Sequence, residues 1–260
     1  MRQLYRALED FYHDCSANDF KTQRKNVMHN KVKLDSNLNM VGVNMCCMGI
    51  VRPYTKSHYV MSRILKTPHG RKLAKILCTA VRKKFPSFNF NRIQVNRNFP
   101  GNYHVDKNNK GPSVGLFLGE PGLKGGDLYV FNRKKNRGKV HGVMKKKWLV
   151  FDGNDPHMTT PFKGTRYSVI FFQHSSPNVR ILRSAKQKLK KMGFPLRINK
   201  HFTTKETGLS SKKSMQLGLK FMSKHFPRLH KHYSKINKGG PVRVHRSVTA
   251  AHLSKWNKKR

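Results

Sequence analysis

The sequence predicts a mainly β core, a sandwich or barrel, with helices on its flanks. Between residues 88 and 175, five short runs carry period-two or β-rich patterning: RIQVN, SVGLFLG, GDLYVF, KWLVFD and RYSVIFF. Gly, Pro, Asn and Asp separate these runs and no helical stripe lies between them, which argues against alternating β-α units. Ahead of the block the periodicity is helical, and behind it basic residues dominate.

In chain order, Leu4, Leu8, Phe11, Tyr12 and Cys15 fall on one face of a short amphipathic helix. Residues 16 to 40 are polar and mixed, the composition of a loop. Thr67 can cap a second helix and Pro68 fits its first turn. Its stripe is Leu73, Ile76, Leu77, Ala80 and Val81, ending before Pro86, and such a helix is expected to pack on a sheet. Gly125 and Gly126 read as a turn into DLYVF, since no helix follows to make a phosphate site. Arg133 to Arg137 and Lys145 to Lys147 read as basic loops beside the core, able to grip phosphates.

From residue 176 onward, 23 Lys and Arg face the single acid Glu206, which is half of the chain's net charge of +44. Residues 184 to 192 and 212 to 226 suit short helices with basic outer faces, the second ending before Pro227. Residues 238 to 260 hold too little apolar content to fold alone. The expected organisation is N-terminal support helices and first strands over 1–87, the catalytic or binding core over 88–175, and a basic C-terminal extension over 176–260.

With 260 residues and 37% apolar content, the chain can bury one core with extensions. No run of about 18 apolar residues occurs, and the N-terminal MRQLYRALED carries acids where a secretory leader would be apolar. The expectation is a soluble, intracellular protein with no membrane association. Cys15, Cys46, Cys47 and Cys78 form no C-x-x-C pair and read as buried thiols of a reducing compartment. The 55 Lys and Arg against 11 Asp and Glu point to a polyanionic partner, nucleic acid first and hence a nuclear location; a merely basic, salt-tolerant surface is the bland reading.

Against that charge, the acids of NRIQVNRNFPGNYHVDKNN (91–109) and FDGNDPHMTTPFKGTRYSVIFF (151–172) stand out. His104 and Asp106, two apart on a strand, would share a face. In a chain with 14 histidines, H-x-D alone is weak. A second histidine would complete a 2-His-1-carboxylate facial triad, which leaves coordination positions open for Fe(II) chemistry. His157, 51 residues beyond Asp106, is favoured over His141 and His174 by its downstream neighbours. Alternation places Arg166, Ser168 and Ile170 on one face, and an arginine facing into a β core demands an anion. A cupin-like zinc or nickel site would leave Arg166 unexplained.

H-x-D, a histidine about fifty residues on and R-x-S about ten residues later resemble the 2-oxoglutarate/Fe(II)-dependent dioxygenases. That resemblance implies a double-stranded β-helix, jelly-roll or cupin-like, with Fe(II), 2-oxoglutarate and O₂ as cofactor and cosubstrates. It implies iron ligation by His104, Asp106 and His157, and a distal cosubstrate carboxylate held by Arg166 and Ser168. Asn96, on the preceding strand, resembles a polar contact to the cosubstrate. VNRNFPGNYHVDKNN, SVGLFLG, GGDLYVF and PFKGTRYSVIFF, with the upstream CMGIVRPY and the helix near 70–85, look most like the TET/JBP-like branch, over roughly residues 45 to 173. That branch oxidises the methyl group of 5-methylpyrimidines in nucleic acid. The chain departs from the family in lacking a cysteine-rich zinc module, and Phe172 stands where an AlkB-like enzyme carries a second arginine.

The implied reaction is hydroxylation of a C–H bond coupled to oxidative decarboxylation of 2-oxoglutarate to succinate and CO₂. Lys107, Asn108 and Asn109 flank the expected entrance, as substrate contacts or as solvated loop. Tyr103, Tyr129 and Trp148 are expected in the core or at the rim rather than as base-stacking platforms. The rival readings are a 2-oxoglutarate oxygenase acting on a protein side chain and a non-catalytic basic protein that binds nucleic acid.

Overall fold

The computed structural model describes residues 1–16, 20, 44–52, 58–106, 109–174, 181–196 and 210–237. Most of the loop expected over 16 to 40, Lys107, Asn108 and the stretch from 238 to 260 lie outside the described residues. The N-terminal part runs α1 (Arg2–Asp14), β1 (Asn44–Val51), β2 (Val60–Met61), a 3-10 turn (Arg63–Lys66) and α2 (Pro68–Lys84). The central part comprises β3 (Arg92–Arg97), β4 (Ser113–Gly119), β5 (Lys124–Gly125), β6 (Leu128–Asn132), β7 (Arg137–His141), α3 (Val143–Lys146), β8 (Trp148–Phe151), β9 (His157–Thr159), β10 (Phe162–Lys163) and β11 (Arg166–Phe172). Three helices complete it: α4 (Arg183–Lys191), α5 (Ser211–His225) and α6 (Pro227–Asn237).

A six-stranded antiparallel sheet has the order β2-β1-β3-β11-β4-β8, and a three-stranded one the order β7-β6-β9. An isolated bridge between His104 and His157 widens the small sheet beyond β9. From residue 92 the chain crosses repeatedly between sheets: β3 lies in the large one, His104 in the small, β4 in the large, β6 and β7 in the small, β8 in the large, β9 in the small and β11 in the large. This winding is a double-stranded β-helix, and the cavity between the sheets is lined from both.

Period two decides what each strand gives to which side. Ile93 and Val95 of β3, with Tyr167, Val169 and Phe171 of β11, join Val114, Leu116 and Leu118 of β4 in a core closed by α1 and α2. The alternate residues, Gln94 and Asn96 of β3 and Arg166, Ser168 and Ile170 of β11, line the cavity. The Thr67 hydroxyl accepts from the Gly70 amide at the start of α2, and Pro68 occupies its first turn. The buried stripe of α2 is Leu73, Ala74, Leu77, Cys78 and Val81; it is rotated from the expected one, leaving Ile76 and Ala80 half-buried.

The outer face of the small sheet is covered in turn by α5 and α6. Tyr103, Val105, Tyr129, Phe131 and Met158 meet Met215, Met222 and Tyr233 there. The stretch after residue 210 is thus packed into the body of the protein through its apolar face, while Lys212, Lys213, Lys220, Lys224, Arg228, Lys231 and Lys235 remain exposed. Pro227, expected to lie just beyond a helix, also begins α6, because a residue without an N–H is tolerated in a first turn. The basic loop expected over Arg133 to Arg137 ends in strand: only 133–136 form the turn, and Arg137 opens β7. Lys145 and Lys146 lie in α3.

No disulfide is present among the described residues. Cys46 and Cys78 are buried and Cys15 and Cys47 half-buried, and burial pushes the Cys78 thiol up to about 12, leaving it inert as a nucleophile. None of the described helices is long and apolar enough to cross a membrane.

Candidate metal centre and cavity

Asn102 to Asp106 is not a regular strand, contrary to the expectation for H-x-D. Only His104 is bridged, its amide donating to the His157 carbonyl (3.0 Å) and its carbonyl accepting in return from the His157 amide (2.9 Å). The Asp106 amide donates to the Gly153 carbonyl in the turn before β9 (2.8 Å). These two cross-links do the work that strand alternation was expected to do. They place the imidazole rings 4.3 Å apart, centroid to centroid, and bring the Asp106 carboxylate near both.

The hydrogen bonds on the far side of each ring set what the near side presents. His104 Nδ1 bonds the Asn102 carbonyl and His157 Nδ1 bonds the Asp155 carbonyl at 2.8 Å. A carbonyl only accepts, so each Nδ1 carries a proton, and in the neutral ring each Nε2 then turns a lone pair inward. His104 Nε2 lies 3.7 Å from Asp106 Oδ1, and His157 Nε2 lies 4.0 Å from Oδ2. Those distances exceed hydrogen bonds, and with this tautomer acceptors face acceptors. One ligand atom from each of the three residues lies within 4.8 Å of the others, and among the described residues no other group of His, Cys, Asp and Glu is so arranged. Two neutral imidazoles and a carboxylate around one point fit a divalent transition-metal ion, with backbone carbonyls orienting both rings.

The turn that delivers His157 is itself braced. Arg133, read from sequence as part of a phosphate-gripping loop, points inward: its Nε donates to Asp155 Oδ1 (2.8 Å), its amide reaches the same oxygen (3.2 Å), and Nη2 lies 3.4 Å from Asp152 Oδ2. Burial pushes the Asp155 carboxyl above its ordinary value, and Arg133 opposes that shift. Asp152 Oδ1 accepts from the Asn154 amide (2.9 Å), and Asn154 Nδ2 donates on to the Asn109 carbonyl (3.0 Å).

On the opposite wall, the Arg166 side chain is buried at 2% exposure. Its Nε donates to the Gly126 carbonyl at 2.8 Å, and its guanidinium lies over the rings of Phe117 (5.5 Å) and Phe162 (5.7 Å). Among the described residues no carboxylate forms an ion pair with it, and burial pushes its pKa down to about 10, with Asp127 opposing. Gly126 has φ of +83°, and a Cβ there would sit 2.9 Å from Arg166 Cδ. A glycine read from sequence as a turn thus also makes room for the arginine and receives its hydrogen bond. Beside it, Asn96 Nδ2 donates to Ser168 Oγ (3.1 Å) and accepts at Oδ1 from Gln94 Nε2 (2.9 Å).

All six residues singled out in the sequence, His104, Asp106, His157, Arg166, Ser168 and Asn96, line one cavity of about 250 Å³. Asn109 lines it too, with its Nδ2 3.5 Å from Asp106 Oδ2. His174, set aside as a metal ligand, lines the cavity outside the three-residue cluster; burial pushes its pKa down to about 4. Sequence reasoning missed Arg92 and Gln94 as cavity residues and Gly126 as the acceptor for Arg166. Strand parity would have found the first two, since they precede Asn96 by four and two residues. Tyr103 and Tyr129 are buried in the core under α5 and α6, and half-buried Trp148 packs on Phe85 and Phe171, so none is a base-stacking platform.

No family model matches the chain, and no curated protein matches it. Among solved structures it is similar to a 2OG-Fe(II) oxygenase family oxidoreductase from Burkholderia pseudomallei, at 16% identity and a TM-score of 0.40 over 53% of this chain and 70% of that one. It is similar to a prolyl hydroxylase of Trichoplax adhaerens in complex with a hypoxia inducible factor peptide fragment, at 12% identity and 0.41 over 73% and 80%. A third is NgTET1 in complex with 5mC DNA, at 13% and 0.38 over 73% and 98%. Likeness at this level leaves the chemistry to be read from the site itself.

Proposed function

We propose that the protein is an Fe(II)- and 2-oxoglutarate-dependent dioxygenase of the TET/JBP-like kind that hydroxylates a nucleic-acid base, with the methyl group of a 5-methylpyrimidine as its target. One observation carries the reading. Three inward-facing metal-ligand side chains share a cavity with a buried arginine that has no carboxylate partner among the described residues.

When bound, Fe(II) and 2-oxoglutarate would supply the O₂ chemistry for hydroxylating a C–H bond, with succinate and CO₂ as co-products. Protein residues do the rest. His104, Asp106 and His157 would hold the ion, each ring through Nε2, because its Nδ1 is engaged by a backbone carbonyl. Arg166 and Ser168 would take the distal carboxylate of the cosubstrate; a desolvated guanidinium already anchored through Nε keeps its remaining donors for that anion. Asn96 orients the Ser168 hydroxyl. Phe117 and Phe162 exclude water around the arginine. The charge of +44 and the basic outer faces of α5 and α6 favour a polyanionic substrate.

The test is anaerobic loading with Fe(II) and 2-oxoglutarate, addition of O₂, and measurement of succinate with methylated DNA, methylated RNA or basic-protein peptides. Stimulation by methylated nucleic acid is expected. Stimulation by peptides alone makes the protein a side-chain hydroxylase, and no turnover with any of the three removes the oxygenase reading.

A further inference from the structure

Arg92 opens β3 on the cavity side, with Gln94 and Asn96 at period two beyond it. Gln94 and Asn96 are tied to each other and to Ser168. Arg92 differs: its Nε is buried with no hydrogen-bond partner, and no ion pair reaches it among the described residues. Arg97, whose Nε is also unpartnered, lies on the other face of β3, over the Tyr12 ring and close enough to Glu120 to help lower that carboxyl. Arg92 has no such acid. Its electrostatic neighbour is His174, whose Nδ1 is likewise buried and without a partner. Both residues line the cavity, and a desolvated donor without an acceptor is costly.

The distal carboxylate of the cosubstrate is not the missing acceptor. This step rests on the oxygenase reading, in which Arg166 takes one end of 2-oxoglutarate and the metal takes the other. Arg92 is paired with Phe172, six positions beyond Arg166 on β11; that is roughly 20 Å along the strand at about 3.3 Å per residue. We infer that Arg92 is a substrate-recognition residue that binds a phosphodiester of the nucleic-acid strand, beside the nucleotide whose base enters the cavity. A guanidinium suits phosphate through parallel N–H···O contacts, and a partner with repeating charge answers a chain of +44 better than a single carboxylate does.

The test uses the full chain and a labelled single-stranded DNA pentamer in which each phosphate in turn is replaced by a neutral methylphosphonate, at about 0.2 M salt to suppress loose surface contacts. The wild type is expected to lose about tenfold in affinity at one linkage. In Arg92→Gln that linkage becomes indifferent, and the slope of log K against log salt shrinks by about 0.7. Arg92→Lys keeps the slope. Identical linkage profiles in wild type and Arg92→Gln overturn the inference. So does an unchanged profile joined to weaker binding of 2-oxoglutarate or of an aspartate-rich peptide, which gives Arg92 to the cosubstrate or to a protein partner. A lower melting temperature in Arg92→Gln, restored in Arg92→Lys, assigns a structural role and also overturns it. Succinate release from the same wild-type preparation reports on the oxygenase reading separately, because the linkage profile needs no turnover.

Discussion

In the six-stranded sheet, Asn96, Arg166 and Ser168 take their direction from the pleat of two long, regular strands, whereas on the facing wall His104, Asp106 and His157 take theirs from one bridge and one braced turn. The first wall is backed by a core that packs its reverse side against α1 and α2. The second depends on polar contacts: Arg133 on Asp152 and Asp155, Asn154 on Asn109, and backbone carbonyls on both imidazoles. Strand pleat fixes which side of a sheet a residue faces, and irregular backbone allows three ligands to converge on a point. The site needs both, so damage to the two walls should read out differently.

The largest effect is expected on the irregular wall. His157→Ala removes one of the three proposed ligands and should abolish metal binding and turnover together, as measured by metal titration and succinate release. On the regular wall, Arg166→Met should weaken 2-oxoglutarate binding by on the order of 100-fold, about 3 kcal/mol, without loss of the metal. The same variant should melt no lower than wild type without cosubstrate, because it removes a buried charge that lacks an ion-pair partner. A variant that loses metal and cosubstrate equally would break the division between the walls.

Smaller effects sharpen it. Arg133→Ala loosens the turn before His157 and should lower metal affinity by about 10- to 100-fold, as outer-shell changes do, with 2-oxoglutarate affinity affected only through the metal. Gly126→Ala forces a Cβ against Arg166 at a positive φ, and should destabilise the fold by about 1–3 kcal/mol while weakening cosubstrate binding. The smallest concerns His174, kept neutral by burial with a folded pKa of about 4 against 6.5 ordinarily. Between those values the unfolded chain binds the extra proton, so stability falls as pH drops from 6.5 toward 4. His174→Asn should flatten part of that fall in urea midpoints measured against pH.

The same contrast explains how much could be read in the sequence. RIQVN and RYSVIFF sort their residues by parity, so the inward face of Arg166 and Ser168 and the apolar backing at Ile93, Val95, Val169 and Phe171 were legible. The convergence of His104 and Asp106 was expected for a reason the structure does not bear out, since a strand over 104–106 is absent; the motif held the information and the local periodicity did not. Arg133 looked like a surface cation because its partners, Asp152 and Asp155, lie about twenty residues away and meet it only through the turn. Within 212–226 the helical stripe through Met215, Leu219, Met222 and Phe226 was legible, but its docking on Tyr103, Tyr129 and Phe131 was not, because a stripe marks a buried face without naming what covers it.

The central claim is that one metal ion sits among His104, Asp106 and His157 with the cosubstrate carboxylate at Arg166. Its most direct test is anaerobic equilibrium titration of the full chain with Fe(II) and 2-oxoglutarate, with Asp106→Ala and Arg166→Met in parallel. One Fe(II) per chain is predicted, with 2-oxoglutarate binding only after the metal, no metal uptake in Asp106→Ala, and metal without tight cosubstrate in Arg166→Met. Unchanged Fe(II) uptake by Asp106→Ala, or tight 2-oxoglutarate binding by Arg166→Met, would contradict it.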